Sequence, residues 1–438
     1  MTKKELLKEI IVNFQKSSFK NITKRDIELP LNIKKVVTLI GVRRSGKTFI
    51  LFDTINKLIS QGTDKQDILY INFEDERLNF KTEDLDLIIQ AWHELYPGRS
   101  SENLYLFFDE IQNVESWEKF IRRIYDTITK NIFITGSNSS FLSVDIATSL
   151  RGRSIQYEVF PFSFREYLRH LNIEPDYYDS KNKALLISNF EQYLKYGGFP
   201  ETIGVDEQLH SDILRNYFYV MLYKDLIERY KIPSISVLKI FIEKLADNLT
   251  KSFSINKIYN NLRSQGFKLD KNLLYELIVY VENIYLAFKI SKFNRSFVTR
   301  SKADKKVYFI DNGIVNVLTM SLSSNYGKML ENSVFLFLRR KFGDLFNENI
   351  FYHKNSKECD FVVFDKKKVI TAIQVSYTIE DPETLKRETA GLINAMNDYG
   401  LSTGYIITND NEKEILKNGK LIKIVPAYKI MANDSLDF

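Results

Sequence analysis

The chain has 438 residues, about three times the ~150 of a common single domain, so more than one core is expected. Hydrophobic residues at 44% and charged residues at 27% are globular values that exclude a disordered chain, and 17 Gly with 8 Pro exclude a collagen-like or linker-rich one. The formal net charge is +6, while a single cysteine (Cys359) and four scattered histidines (His93, His170, His210, His353) exclude an internal disulfide framework and match no zinc spacing.

The opening stretch, MTKKELLKEIIVNFQKSSFK, carries charge throughout and has neither an apolar centre nor a small-residue cleavage site. It reads as an amphipathic helix, with Leu6, Leu7, Ile10, Ile11 and Phe14 at helical spacing, and not as a secretory signal. No apolar run approaches the ~18 residues of a membrane span. A cytoplasmic chain without membrane contact is therefore expected.

Val36 to Ile40 is a short apolar run suited to a strand buried on both faces, and Phe49, Ile50, Ile55 and Leu58 then fall at helical spacing. Between them Gly41-Val42-Arg43-Arg44-Ser45-Gly46-Lys47-Thr48 fits the phosphate-loop pattern of Gly, four residues, Gly-Lys-Thr. Such a loop curls its backbone so that successive N–H groups point at phosphate oxygens, and the helix behind it adds its positive end. Gly41, Arg44, Ser45, Gly46, Lys47, Thr48 and Phe49 are the residues expected around ATP or ADP. Lys47 would reach the β- and γ-phosphates and the Thr48 hydroxyl would ligate magnesium.

A second apolar strand, Leu104 to Phe108, ends in Asp109-Glu110, where open α/β sheets hold ligands. Asp109 is expected to hold Mg2+ through water, and Glu110 to orient or activate the attacking water as the catalytic base. A third strand runs from Asn131 to Asn138, and the segment after it ends in Leu150-Arg151-Gly152-Arg153.

This order resembles the core of AAA-type ATPases. GVRRSGKT, Asp109-Glu110, ITGSNSS, SLRGRS, FPFSFREYL and Tyr196-Gly197-Gly198-Phe199-Pro200-Glu201 together look like a bacterial and archaeal group of such ATPases with a C-terminal domain of unknown function. The resemblance implies ATP binding and hydrolysis. It implies that Asn138 contacts the γ-phosphate and water, and that Arg151 or Arg153 is an arginine finger, which in trans would require a homo-oligomer. The fold it implies is a P-loop parallel sheet (1–169) with a helical lid (170–235), then a winged helix-turn-helix (236–322) and a restriction-endonuclease-like α/β domain (323–438).

Within the lid, Gly197-Gly198 and Pro200 break the helical pattern, so a turn that caps or hinges the helix belongs there. Residues 241 to 308 hold 13 Lys and Arg against 6 Asp and Glu, a basic excess that fits either a DNA-binding surface or an ordinary solvated face. For DNA, Lys268 and Lys271 would approach the groove while Lys302, Lys305 and Lys306 touch phosphates from the wing.

In active members of the restriction-endonuclease-like fold, acids on the first helix and on the second and third strands hold a metal, with a lysine two residues after the last acid. The matching positions here are Glu331, Asp360 and Gln374-Val375-Ser376. Glutamine keeps an oxygen, so Glu331, Asp360 and Gln374 form a degenerate metal set, but Ser376 removes the lysine charge. A non-cutting module is expected. The reading as a whole is a magnesium-dependent ATPase switch acting on DNA; the alternatives are an ATP-gated nuclease or a nucleotide-sensing scaffold without turnover.

Overall fold

A computed structural model describes residues 2–136, 149–319, 325–343 and 348–435. The chain divides into two compact units, Met1–Phe160 and Pro161–Phe438.

The first unit opens with the helix Lys3–Lys16, started by a capping box in which Thr2 and Glu5 satisfy each other's backbone N–H. It buries Leu6, Leu7 and Ile11, and Phe14 stacks on Tyr70 with ring centroids 4.8 Å apart. Behind it lie five strands, β1 (Val36–Ile40), β2 (Ile68–Asn72), β3 (Tyr105–Asp109), β4 (Ile132–Gly136) and β5 (Ser154–Glu158). They form one parallel sheet in the order β2-β3-β4-β1-β5. β1 and β4 are buried along their whole length, as parallel strands covered on both faces must be. The register sets Ile40 beside Gly136 and Asn72 beside Asp109. The carboxyl ends of β1, β4, β3 and β2 thus finish on one rim. The loop after β1 and the acids after β3 open onto that rim, with β4 between their strands.

The second unit begins with the helices Phe164–His170, Ser180–Tyr196 and Glu207–Val220 and a π-helix, Met221–Glu228. Next come three helices, Ile235–Asp247, Ile255–Ser264 and Lys271–Asn283. They accompany an antiparallel sheet of β6 (Ser252–Phe253), β7 (Ala287–Ser291) and β8 (Lys305–Phe309), ordered β6-β8-β7. This is the winged-helix arrangement. The last part starts with the long helix Tyr326–Phe342. An antiparallel meander follows: β9 (Ile350–Lys354), β10 (Glu358–Asp365) and β11 (Lys368–Val375). The helix Pro382–Tyr399 then crosses to β12 (Thr403–Thr408), parallel to β11. β13 (Lys413–Lys417) and β14 (Lys420–Pro426) complete the order β13-β14-β12-β11-β10-β9. Helix, three-stranded meander, helix and parallel strand make up the restriction-endonuclease-like core.

A buried polar hub joins the parts of this unit. Asp311 Oδ2 accepts the Gly198 N–H at 2.7 Å and its Oδ1 accepts the Gly313 N–H at 2.8 Å. Asn312 Nδ2 donates to the carbonyls of Leu194 at 2.9 Å and Met329 at 3.1 Å, and Asn332 Nδ2 donates to Asn312 Oδ1 at 2.9 Å. The expected turn at Gly197-Gly198 is therefore a fixed helix cap. Gly197 has φ +80°, and a Cβ there would lie 2.0 Å from Asp311 Oδ1.

Candidate nucleotide site

The loop between β1 and the helix Lys47–Ser60 turns through left-handed backbone at Arg44 (φ 63°) and Gly46 (φ 93°). Gly41 is glycine for a steric reason: its φ is 149°, and a Cβ would lie 2.1 Å from the Val159 carbonyl oxygen. From outside the motif, the buried Arg25 donates to the carbonyls of Ser45 and Phe160, both at 2.7 Å. Its guanidinium thereby ties the loop to the end of β5, where Val159 N donates to Ile40 O. Arg43 pairs with Glu74 at 2.7 Å, Arg44 is exposed, and Phe49, one turn into the helix, is 55% exposed.

Lys47 is buried and its ammonium donates to the Gly41 and Val42 carbonyls, each at 3.1 Å. Glu110 Oε1 lies 3.4 Å from the same nitrogen. Thr48 Oγ1 donates to Asp109 Oδ2 at 2.7 Å. The loop and the acid pair, separated by one strand in the sheet, thus meet in direct contact.

Asp109 is also held from the two strands beside its own. Tyr70, on β2, donates to Oδ2 at 2.8 Å, and Thr135, on β4, donates to Oδ1. Thr135 Oγ1 also accepts the Glu110 N–H at 2.9 Å, so one hydroxyl orients both acids. Burial pushes the Asp109 carboxyl above its ordinary range, against the hydrogen bond from Thr135, and the neighbouring Glu110 charge pushes it further. The Tyr70 phenol is raised by burial and by the Asp109 charge, and so stays a donor. Glu110 sits at φ 51°, with Gln112 Nε2 donating to its Oε2 at 2.5 Å. Such a left-handed turn in a non-glycine residue directly after a strand re-aims the side chain, and it recurs at functional sites.

Residues 33–168 match an AAA domain model, and residues 187–325 match a domain of unknown function, DUF8612. An uncharacterized protein of Methanocaldococcus jannaschii is 38% identical over 98% of this chain and 95% of its own length. One of Haemophilus influenzae is 32% identical over 83% of this chain and 87% of its own. The chain belongs to the AAA-type ATPase family. Among solved structures, the Aeropyrum pernix Orc1 protein in complex with DNA aligns over 73% of this chain and 92% of its own at 13% identity, with a TM-score of 0.30, too slight a likeness to carry an argument.

Of the arginines that the AAA-type resemblance singles out, Arg153 is engaged within its own unit. Its Nε and Nη2 donate to the two Asp126 oxygens at 3.0 and 3.1 Å. Arg151 stands exposed at φ 49°. Asn138 lies outside the described residues. The lid residues Gly197 and Gly198 belong to the polar hub around Asp311.

The C-terminal set is also brought together, around a residue the sequence places elsewhere. Lys306, expected on a wing touching phosphates, is 3% exposed. Its ammonium lies 2.9 Å from Glu358, 3.1 Å from Asp360 and 3.5 Å from Glu331. Burial alone would lower this lysine, but Asp360, Glu331 and Glu358 together raise it above its ordinary value. Burial, followed by the Asp360 charge, pushes Glu331 up to about 8. Gln374 faces other partners: its Oε1 accepts the Asp360 N–H at 3.3 Å and its Nε2 donates to Glu388 at 2.6 Å. Lys305 is likewise turned inward, donating to Ser291 Oγ at 2.9 Å and to the Arg300 carbonyl. Lys268 and Lys302 are exposed and Lys271 is half-buried.

The sequence reading missed Arg25, Tyr70 and Thr135, and gave Lys306 a different place. Only Thr135 carried a local signal, standing at the end of a strand that abuts the acid pair; the others arrive from distant segments.

Proposed function

We propose that this AAA-type chain is a magnesium-dependent ATPase whose nucleotide state switches its C-terminal parts. The observation that carries the reading is the hydrogen-bonded line Thr48–Asp109–Thr135, with Lys47 3.4 Å from Glu110. A hydroxyl and a carboxylate oxygen in contact form a hard-oxygen pair suited to Mg2+, and Thr48 and Asp109 would hold it. The ion would supply neutralisation of charge on the phosphate oxygens. Lys47 would exchange the loop carbonyls for β- and γ-phosphate oxygens, at the positive end of its helix. Glu110, released from Lys47, would accept a proton from or orient the attacking water, while the Thr135 hydroxyl keeps its backbone in place.

Exposure of Arg151 supports its role as the arginine finger, in a homo-oligomer where a neighbouring copy completes the site; the Asp126 pair suits Arg153 to a structural task. Exposure of Lys268 and Lys302 supports duplex DNA as the partner of the winged helix. We read the domain plan as core (1–169), lid (170–235), winged helix (236–322) and nuclease-like domain (323–438).

The test is Lys47→Ala, assayed by fluorescent-nucleotide binding and by phosphate release. Loss of both is expected. A variant that hydrolyses ATP at the native rate removes this reading.

A further inference from the structure

The nuclease-like fold of the C-terminal part implies a divalent metal held by its carboxylates, but the residues present do not fit one. Every acid at the expected place is turned toward a single ammonium. Glu358 Oε1, Asp360 Oδ1 and Glu331 Oε1 converge on Lys306. Their remaining valences are largely taken: Asp360 Oδ2 accepts the Val375 N–H at 3.0 Å, Glu331 Oε1 also accepts from the Tyr308 hydroxyl at 2.8 Å, and Glu358 Oε2 pairs with Lys354 at 2.9 Å. Among the described residues no group of three His, Cys, Asp or Glu side chains is arranged to hold a metal ion.

The lysine comes from a different place than the one the fold vacated. Ser376 stands where an active enzyme has its lysine, and its hydroxyl donates to Thr378 O at 2.7 Å. Lys306 instead enters from β8 of the winged-helix sheet. Side chains alternate along a strand, so Lys306 and Tyr308 share one face, and both reach Glu331. Tyr308 also stacks on Phe335 of the long helix, with centroids 4.4 Å apart. Lys306 is 3% exposed, and three carboxylates surround its ammonium.

We propose that the Lys306 ammonium stands in for the divalent cation. The C-terminal domain is thereby neutralised by the chain itself, silent as a nuclease, and pinned to the winged-helix sheet by the same cluster. A divalent ion entering the native cluster would meet a fixed positive charge at its centre, and removing that charge should return the acids to a metal.

The experiment uses the full chain without nucleotide, with Mn2+ as the probe, read by electron paramagnetic resonance and by thermal unfolding with Mn2+ or a chelator. The native chain and Asp360→Asn should bind Mn2+ alike, and Mn2+ should not raise the native melting temperature through this cluster. Lys306→Ala should melt lower in chelator, recover with Mn2+, and gain about one bound ion per chain, a gain that Lys306→Ala/Asp360→Asn loses. Mn2+ binding by the native chain that disappears in Asp360→Asn overturns the proposal. So does a folded Lys306→Ala that gains no ion, or one that Mn2+ fails to fold when chelator unfolds it.

Discussion

At the scale of single residues, the proposed ATPase reading gives the two acids of the rim different tasks. Asp109 has its oxygens engaged by Thr48, Tyr70 and Thr135, which suits a metal holder, while Glu110 is aimed by a left-handed turn at the Lys47 ammonium, which suits a base. Glu110→Gln keeps the shape and removes the proton acceptor. Nucleotide affinity should stay within a few fold and single-turnover hydrolysis should fall by roughly 100-fold or more; native turnover would assign the base elsewhere. Thr135→Val tests the hydroxyl shared by both acids. It leaves the buried Glu110 N–H and an Asp109 oxygen without their partner, a loss of about 1–3 kcal/mol. Chemical denaturation should register that loss, and magnesium dependence of nucleotide binding should shift to higher Mg2+. An unshifted magnesium dependence would make Thr135 a purely structural residue.

Among elements, the Asp311 hub decides how the helix Ser180–Tyr196, the end of β8 and the long C-terminal helix stay together. Burial pushes the Asp311 carboxyl up to about 6, against the hydrogen bonds donated by Gly198, Gly313 and Ile314. Since the folded value lies above the unfolded one near 3.9, the protonated form is favoured by folding. The associated stability is full below pH ~4 and lost as pH rises through about 6, an amount of about 3 kcal/mol. Urea unfolding of the native chain and of Asp311→Asn from pH 4 to 7 should differ by that slope, and parallel curves would remove Asp311 as its source. This hub also shows where reading the sequence stops. A phosphate loop needs neighbouring residues in a fixed order, and a strand and helix flank it, so Val36 to Ser60 was legible as it stands. The Gly197-Gly198 turn was legible as a break in helical pattern. Its cause was not, because the carboxylate that forbids a Cβ there lies more than a hundred residues away in sequence. Arg25 was hidden for the same reason: a guanidinium joining two carbonyls leaves no periodic trace.

Across the whole molecule, composition misjudges where charge is available. The basic excess of residues 241 to 308 counts Lys306, which is buried among three carboxylates, Lys289, which pairs with Glu282, and Lys305, which is turned toward Ser291. Sequence cannot tell an inward lysine from an outward one on a short strand whose two faces are both covered. What remains for a polyanion is a smaller exposed set that includes Lys268, next to the helix Lys271–Asn283, and Lys302, on the wing. If the winged helix meets duplex DNA, binding should weaken as salt rises, because each phosphate that a lysine neutralises sheds its counterions. Lys268→Glu/Lys302→Glu should lower affinity at every salt concentration and reduce the slope of log K against log salt by about 0.9 for each phosphate that is no longer neutralised. Lys306→Gln, acting on a buried cluster, should leave that slope unchanged in the folded protein. Fluorescence anisotropy of a labelled duplex over a salt series measures all three. Equal slopes for the native chain and the double variant would assign the basic face to an acidic protein partner or to solvent, and an altered slope in Lys306→Gln would mean that the ammonium reaches phosphate after all.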